Sequence, residues 1–195
     1  MVDKAMKISP KYTVGDWRAL KFSIEGEWQK AIEIFDDRYR SRFLKSISLI
    51  ENYEFSGFAI LALDCLLVET LQQFIGGLEQ TPDRKPKEYF VKFLTETSFG
   101  EWFDEEKATR FYKQIRCGIL HQAETKESSK VRICGPLVTL SEDGKGLIIN
   151  RELFHRQLVK EFESYEEKLR NPSEETLRSK FIKKMNYICR LPQAE

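Results

Sequence analysis

The sequence predicts an all-α fold, a helical bundle that carries one small inserted β-hairpin near residues 131–149. Three observations lead there. Apolar residues recur at steps of three and four over most of the chain. One segment between residues 57 and 77 is apolar nearly throughout, and helical spacing yields only once, to β-branched runs on either side of a glycine-rich turn.

Residues 1–24 contain Pro10 and Gly15 and read as an irregular N-terminal arm. A single helical domain is expected over 25–190. From Glu27, apolar residues at Trp28, Ile32, Phe35, Tyr39, Phe43, Ile47 and Ile50 mark a long amphipathic helix. The next helix is the central buried one, with Ser56 placed to cap its start and Gly76-Gly77 to end it. Residues 81–87 form a linker whose Pro86 suits the first turn of a short helix through Phe93. Asp104 is the expected N-cap of a helix running toward His121, with Glu105 and Glu106 favourable in its first turn.

A polar loop, ETKESSK, then leads into VRICGPLVTLSEDGKGLIIN, the hairpin. Helical spacing returns through Leu153, Phe154, Leu158, Phe162 and Tyr165. Asn171-Pro172 breaks that helix, and Ser173 is placed to cap a last one carrying Leu177, Phe181, Met185 and Ile188. Gly144 and Gly146 belong to the hairpin turn, because no phosphate-loop pattern surrounds them.

The 195 residues suffice for one domain with a sizeable core, and 41% apolar against 32% charged is ordinary for a globular protein. With 32 Lys+Arg against 31 Asp+Glu, bulk charge does not announce a nucleic-acid partner, so such a site has to be a local basic patch. The stretch from Arg110 to Arg132 offers one, with six Lys or Arg against two Asp or Glu.

Cys65, Cys117, Cys134 and Cys189 are scattered, with no C-x-x-C and no histidine at zinc-ligand spacing. Buried free thiols are expected, with no disulfide framework, no metal and no cofactor. The opening residues lack the apolar run of a signal peptide. The stretch GFAILALDCLLVETL is interrupted by Asp64 and Glu69 and is too short to span a bilayer. A cytoplasmic protein without a membrane partner is the expectation.

Chemistry concentrates in RFYKQIRCGILHQAE, residues 110–124, where Arg116 and one of only two histidines, His121, stand five positions apart. Histidine can take and give protons near neutral pH, and arginine is a permanent cation that forks onto phosphate oxygens. Together they could cleave a phosphodiester without metal. Five residues of ideal helix turn the chain through about 500°, which leaves the two side chains roughly 140° apart. They converge only if the helix loosens near Gly118, where glycine weakens it, or if a second subunit completes the site.

Lone carboxylates in an apolar helix demand partners. Glu69 could pair with Arg116 and aim it; for Asp64 and Glu69 alike the alternative is that they emerge at the helix surface. Lys113 and Gln122 complete the candidate set as supporting polar groups. His155, four residues after Arg151, is expected on the outer face of its helix.

IRCGILHQ resembles the signature of the HEPN family (higher eukaryotes and prokaryotes nucleotide-binding domains): an arginine, four to six residues, then a histidine near a helix end. The order of a long amphipathic helix, a buried helix and the motif helix is similar over roughly residues 27–190. FYKQIRCGILHQAET looks most like stand-alone bacterial members linked to plasmids and defence. The resemblance implies a HEPN-like helical bundle and a homodimer that brings two motif helices together. It also implies metal-independent endoribonuclease activity on RNA by Arg116 and His121, in a toxin or phage-defence effector with an antitoxin protein as a further partner. One departure stands out: many active members carry a polar residue, often asparagine, after the arginine, and here it is Cys117. The alternative is therefore a catalytically silent HEPN module that binds RNA or a protein partner.

Overall fold

The computed structural model, which describes residues 3–191, is mostly helical with one three-stranded sheet. Contacts divide the chain into two compact units, each assembled from separated stretches. Unit 1 comprises the residues up to Leu49, Gln73–Gln80 and the residues from Glu163 on; unit 2 comprises Ile50–Gln72 and Thr81–Phe162.

Unit 1 begins in the N-terminal arm, which is more ordered than Pro10 and Gly15 suggest. Helix α1 (Val14–Arg18) opens on a capping box: Thr13 Oγ1 accepts from the Asp16 N–H, and the Asp16 carboxylate accepts from the Thr13 N–H. Five residues cannot hold a helix alone, and burial of Val14 and Trp17 supplies the rest. The long amphipathic helix is present but interrupted. It runs as α2 (Gly26–Tyr39), a π-helical turn (Arg40–Leu44) and α3 (Lys45–Ile50), with the Lys45 N–H donating to the Arg40 carbonyl five residues back. The core is aromatic. Phe35 meets Phe74 at 4.9 Å and Phe181 at 5.6 Å between ring centroids, and Trp17 meets Phe181 edge-on at 5.7 Å.

Helix α4 (Gly57–Gly76) contributes to both units. At 20 residues it is longer than the apolar stretch suggested. By length and composition it could cross a membrane, which corrects the expectation that this segment is too short. Its Ile60, Leu61, Cys65 and Val68 are fully or almost fully buried in the protein. Its end is a Schellman motif: Leu78 N–H donates to the Gln73 carbonyl, Gly77 N–H to that of Phe74, and Gly77 takes φ +66°. Its start is not capped as expected. The preceding Phe55 holds a left-handed backbone (φ +64°), and Ser56 Oγ is buried without a hydrogen-bond partner.

Unit 2 continues through α5 (Pro86–Glu96), which has Pro86 in its first turn, a 3-10 turn (Ser98–Glu101) and α6 (Glu105–Arg110). Asp104 caps α6, its Oδ1 accepting from the Lys107 N–H at 2.7 Å. A π-helical turn (Phe111–Arg116) and α7 (Cys117–Gln122) complete the motif helix. The core here is also aromatic: Phe154 stands 4.9 Å from both Phe99 and Phe111, stacked on the latter.

The expected hairpin is one part of a three-stranded sheet of order β1-β3-β2, with β1 (Lys130–Arg132), β2 (Val138–Leu140) and β3 (Leu147–Asn150). β2 and β3 are antiparallel, Val138 opposite Ile149, whereas β1 pairs parallel to the far side of β3. The first arm cannot run unbroken because Gly135 (φ +82°) turns the chain and Pro136 has no N–H to donate.

Helix α8 (Arg151–Arg170) also contributes to both units, and α9 (Glu175–Ile188) closes unit 1 with Phe181 and Met185 buried. Ser173 does not cap α9. Its hydroxyl donates to Asn171 Oδ1 at 2.8 Å, so the turn is organised by Asn171 and the helix starts without a side-chain cap.

Candidate functional site

The motif helix is shaped by the loop that follows it. An uninterrupted α-helix would spend the Gln114 carbonyl on Gly118; here Lys126 N–H donates to it at 2.9 Å, and the Cys117 N–H reaches back five residues to Tyr112. The helix therefore loosens before Arg116, one turn earlier than the expected point at Gly118. Gly118 has a different duty. Ala123 takes a left-handed backbone (φ +53°), the chain doubles back, and a Cβ on Gly118 would stand 2.4 Å from the Glu124 carbonyl oxygen.

The sheet braces the same turn. Gln114 Nε2 donates to the Lys145 carbonyl at 2.9 Å, the Ser129 hydroxyl donates to Gln114 Oε1 at 2.8 Å, and Arg110 donates to the Gly144 carbonyl. The hairpin turn thus fixes the helix from which Arg116 projects.

Arg116 and His121 converge within one chain. Arg116 Nη1 lies 3.4 Å from His121 Nε2, spanned by the reach of the arginine side chain along one turn of α7. A guanidinium can only donate, so this contact calls for an unprotonated Nε2, the form in which histidine is a base. Arg116 is half-buried, His121 exposed.

Glu69, on α4, accepts from Arg116 Nε at 2.7 Å and fixes the guanidinium plane. The guanidinium lies 5.3 Å from the centre of the Tyr112 ring. Burial of Arg116 works against its charge, but the hydrogen bond and charge of Glu69 outweigh it, and the pKa shift is upward. Cys117 Sγ stands 4.0 Å from Nη1, where an amide would make a stronger bond. Burial, with the neighbouring Cys117 next, raises the Tyr112 hydroxyl above its ordinary pKa.

Asp64 belongs to a different pair. It is fully buried, and its Oδ1 lies 2.7 Å from His155 Nδ1 while Oδ2 has no partner. Burial raises the Asp64 pKa against the pull of His155 and Arg151. His155 is thus not on the outer face of α8, as its spacing suggested. A buried carboxylate needs a donor, and that requirement turns the histidine inward. The structure brings together Arg116, His121 and Glu69 and keeps Asp64 apart from them. Lys113 and Gln122 are exposed, and among the described residues no contact ties either to the Arg116–His121 pair.

Tyr112 was not legible as a site residue, although its position four before Arg116 puts it on the same helix face. The partnership of Asp64 with His155 carried one signal, a lone carboxylate in an apolar helix within a chain of two histidines.

Comparison with known proteins returns no match: none from family models, none from curated proteins and none from solved structures.

Proposed function

We propose that the protein is a HEPN-type, metal-independent endoribonuclease whose reacting groups are His121 and Arg116. The observation that carries this reading is the 3.4 Å approach of Arg116 Nη1 to His121 Nε2, at the exposed end of a guanidinium held from behind by Glu69. A general base and a phosphate-binding cation side by side suit cleavage at a ribose 2′-hydroxyl. With Arg116 Nη1 drawn from it onto the phosphate, His121 Nε2 removes the 2′-hydroxyl proton, the oxygen attacks phosphorus, and the P–O5′ bond breaks; the leaving oxygen takes a proton from water, giving a 5′-hydroxyl and a 2′,3′-cyclic phosphate. Arg116 offsets the charge that builds on the phosphate oxygens. Among the described residues no protein acceptor reaches Nη2, so one edge of the fork remains for a phosphate.

The deciding experiment compares wild type, His121→Ala and Arg116→Ala on mixed RNA in the presence of EDTA. Wild type cleaves. His121→Ala loses roughly 10²–10⁴-fold in rate while retaining RNA binding, because its part is confined to the proton transfer. Arg116→Ala loses cleavage and binds less tightly, with a shallower dependence of affinity on salt. Dependence of wild-type cleavage on Mg²⁺ or Mn²⁺ would overturn the mechanism.

The second reading, a silent module that binds RNA or a protein, is favoured by Cys117. Its sulfur offers Arg116 only a weak acceptor at 4.0 Å. Equal inertness of wild type and His121→Ala, with binding intact in both, selects that reading.

A further inference from the structure

A polar cleft of about 510 Å³ in unit 1 lies between the N-terminal arm, α2 and the last turns of α8. Most of its charged lining is paired within the protein. Asp37 accepts from the Lys11 N–H at 2.9 Å and the Ser41 hydroxyl at 3.1 Å, and Asp36 accepts from Arg40 Nε at 2.6 Å. Glu166 differs. It lines the cleft with 6% of its surface exposed, and its Oε1 is buried without a hydrogen-bond partner.

A buried acceptor without a donor is uncommon in native proteins and calls for an explanation. Its neighbours sharpen the point. Burial first, and Asp36 second, push the Glu166 carboxyl up to about 7, while Arg40 on the π-helical turn and Arg170 on α8 pull the other way. Arg40 does not resolve the conflict: its Nε donates to Asp36, its Nη2 lies 4.0 Å from Glu163, and Oε1 of Glu166 stays without a donor. Lys11, Lys45 and Arg170 also line the cleft, yet Glu166 Oε1 accepts a hydrogen bond from none of them. A metal ion suits it poorly, since among the described residues no three Asp, Glu, His or Cys side chains are grouped to hold one.

We propose that this cleft binds a small organic cation through a primary ammonium group seated between Glu166 and Asp36. Three N–H donors on one atom match the vacant Oε1 and the adjacent carboxylate. The cation also relieves the repulsion between the two acids, so Glu166 ionises on binding and gives up a proton. A free diamine and a lysine side chain of a partner chain both carry such an ammonium, and the test separates the two. This site is independent of the ribonuclease reading.

Isothermal titration of the full chain near neutral pH, with putrescine in one arm and Nα-acetyl-lysine methylamide in the other, tests the proposal. Saturable binding is expected. The heat should differ between buffers of different ionisation enthalpy, because a fraction of a proton is released, and affinity should rise as pH increases through about 7. Putrescine binding alone identifies a free amine, and equal binding of the lysine derivative identifies a side chain. Glu166→Gln should bind roughly tenfold to a hundredfold more weakly, as for loss of a hydrogen bond to a charged group, with an unchanged circular dichroism spectrum. Asp36→Asn provides the same comparison at the second carboxylate. Absence of binding heat in both arms at millimolar ligand, or variants that bind as wild type does, would overturn the proposal.

Discussion

Glu69 holds Arg116 by Nε, at 2.7 Å, and the Nη1 corner of the same guanidinium lies 3.4 Å from His121. One carboxylate on α4 therefore decides where the cation of the motif helix points. Glu69→Gln removes the charge and keeps the shape. Under the proposed ribonuclease reading, cleavage should fall about 10–100-fold in turnover with little change in RNA affinity, since misplacing a reacting group by an ångström has costs of that order. Single-turnover rates and binding isotherms check this, and Glu69→Asp should recover part of the loss. Wild-type turnover in Glu69→Gln would remove Glu69 from the site.

His155→Leu leaves Asp64 buried with neither oxygen partnered. Urea denaturation should show a loss of about 3 kcal/mol, the scale expected when one member of a buried pair is removed. The double variant Asp64→Leu/His155→Leu should be more stable than the single one. If the single and double variants are equally stable, the pair contributes no such coupling.

Gly118→Ala places a methyl group 2.4 Å from the Glu124 carbonyl oxygen, which is backbone and cannot swing aside. Overpacking of this kind costs about 1–3 kcal/mol. A lowered melting temperature is expected, together with weaker cleavage, because the chain that folds back at Ala123 sets the end of the helix carrying His121.

Glu166 gives stability a pH dependence. Its carboxyl is raised from 4.5 to about 7 in the fold. The folded state thus holds a proton that the unfolded state releases, so this contribution is complete below about pH 4.5 and is lost as pH rises through about 7. The difference corresponds to about 3 kcal/mol at most. Urea melts from about pH 5 to about pH 8 should show stability declining over that window in wild type, and Glu166→Gln should flatten the decline.

A homodimer should form if the HEPN-type reading holds, with the motif helices near its two-fold axis. Leu66 and Leu120, each 41% exposed, lie one turn from Glu69 and Arg116 on their own helices and are the apolar residues to test. Light scattering should give twice the chain mass for wild type and a smaller mass for Leu120→Asp. A wild-type monomer at all accessible concentrations counts against the HEPN-type reading.

The sequence alone determined the elements whose signals are local. Apolar spacing marked the helices; Asp104, Pro86 and the Gly76-Gly77 pair marked ends because caps and Schellman turns use groups within a few residues of each other. The candidate pair Arg116 and His121 was legible for the same reason, and Glu69 followed from the cost of a lone carboxylate in an apolar helix. Ser56 and Ser173 show the limit of such signals, since a favourable residue does not cap when its backbone neighbour or another side chain redirects it. Everything that depended on contacts between distant residues was left to the tertiary structure. The parallel pairing of β1 with β3, the bond from Lys126 to the Gln114 carbonyl that opens the helix, and the inward turn of His155 toward Asp64 join residues 12 to 91 positions apart. The two units are also built from discontinuous stretches, so no linker composition marks their boundary. Chain periodicity reports which face of an element is buried, but which partner meets that face is settled only when burial and hydrogen bonding are satisfied for all elements at once.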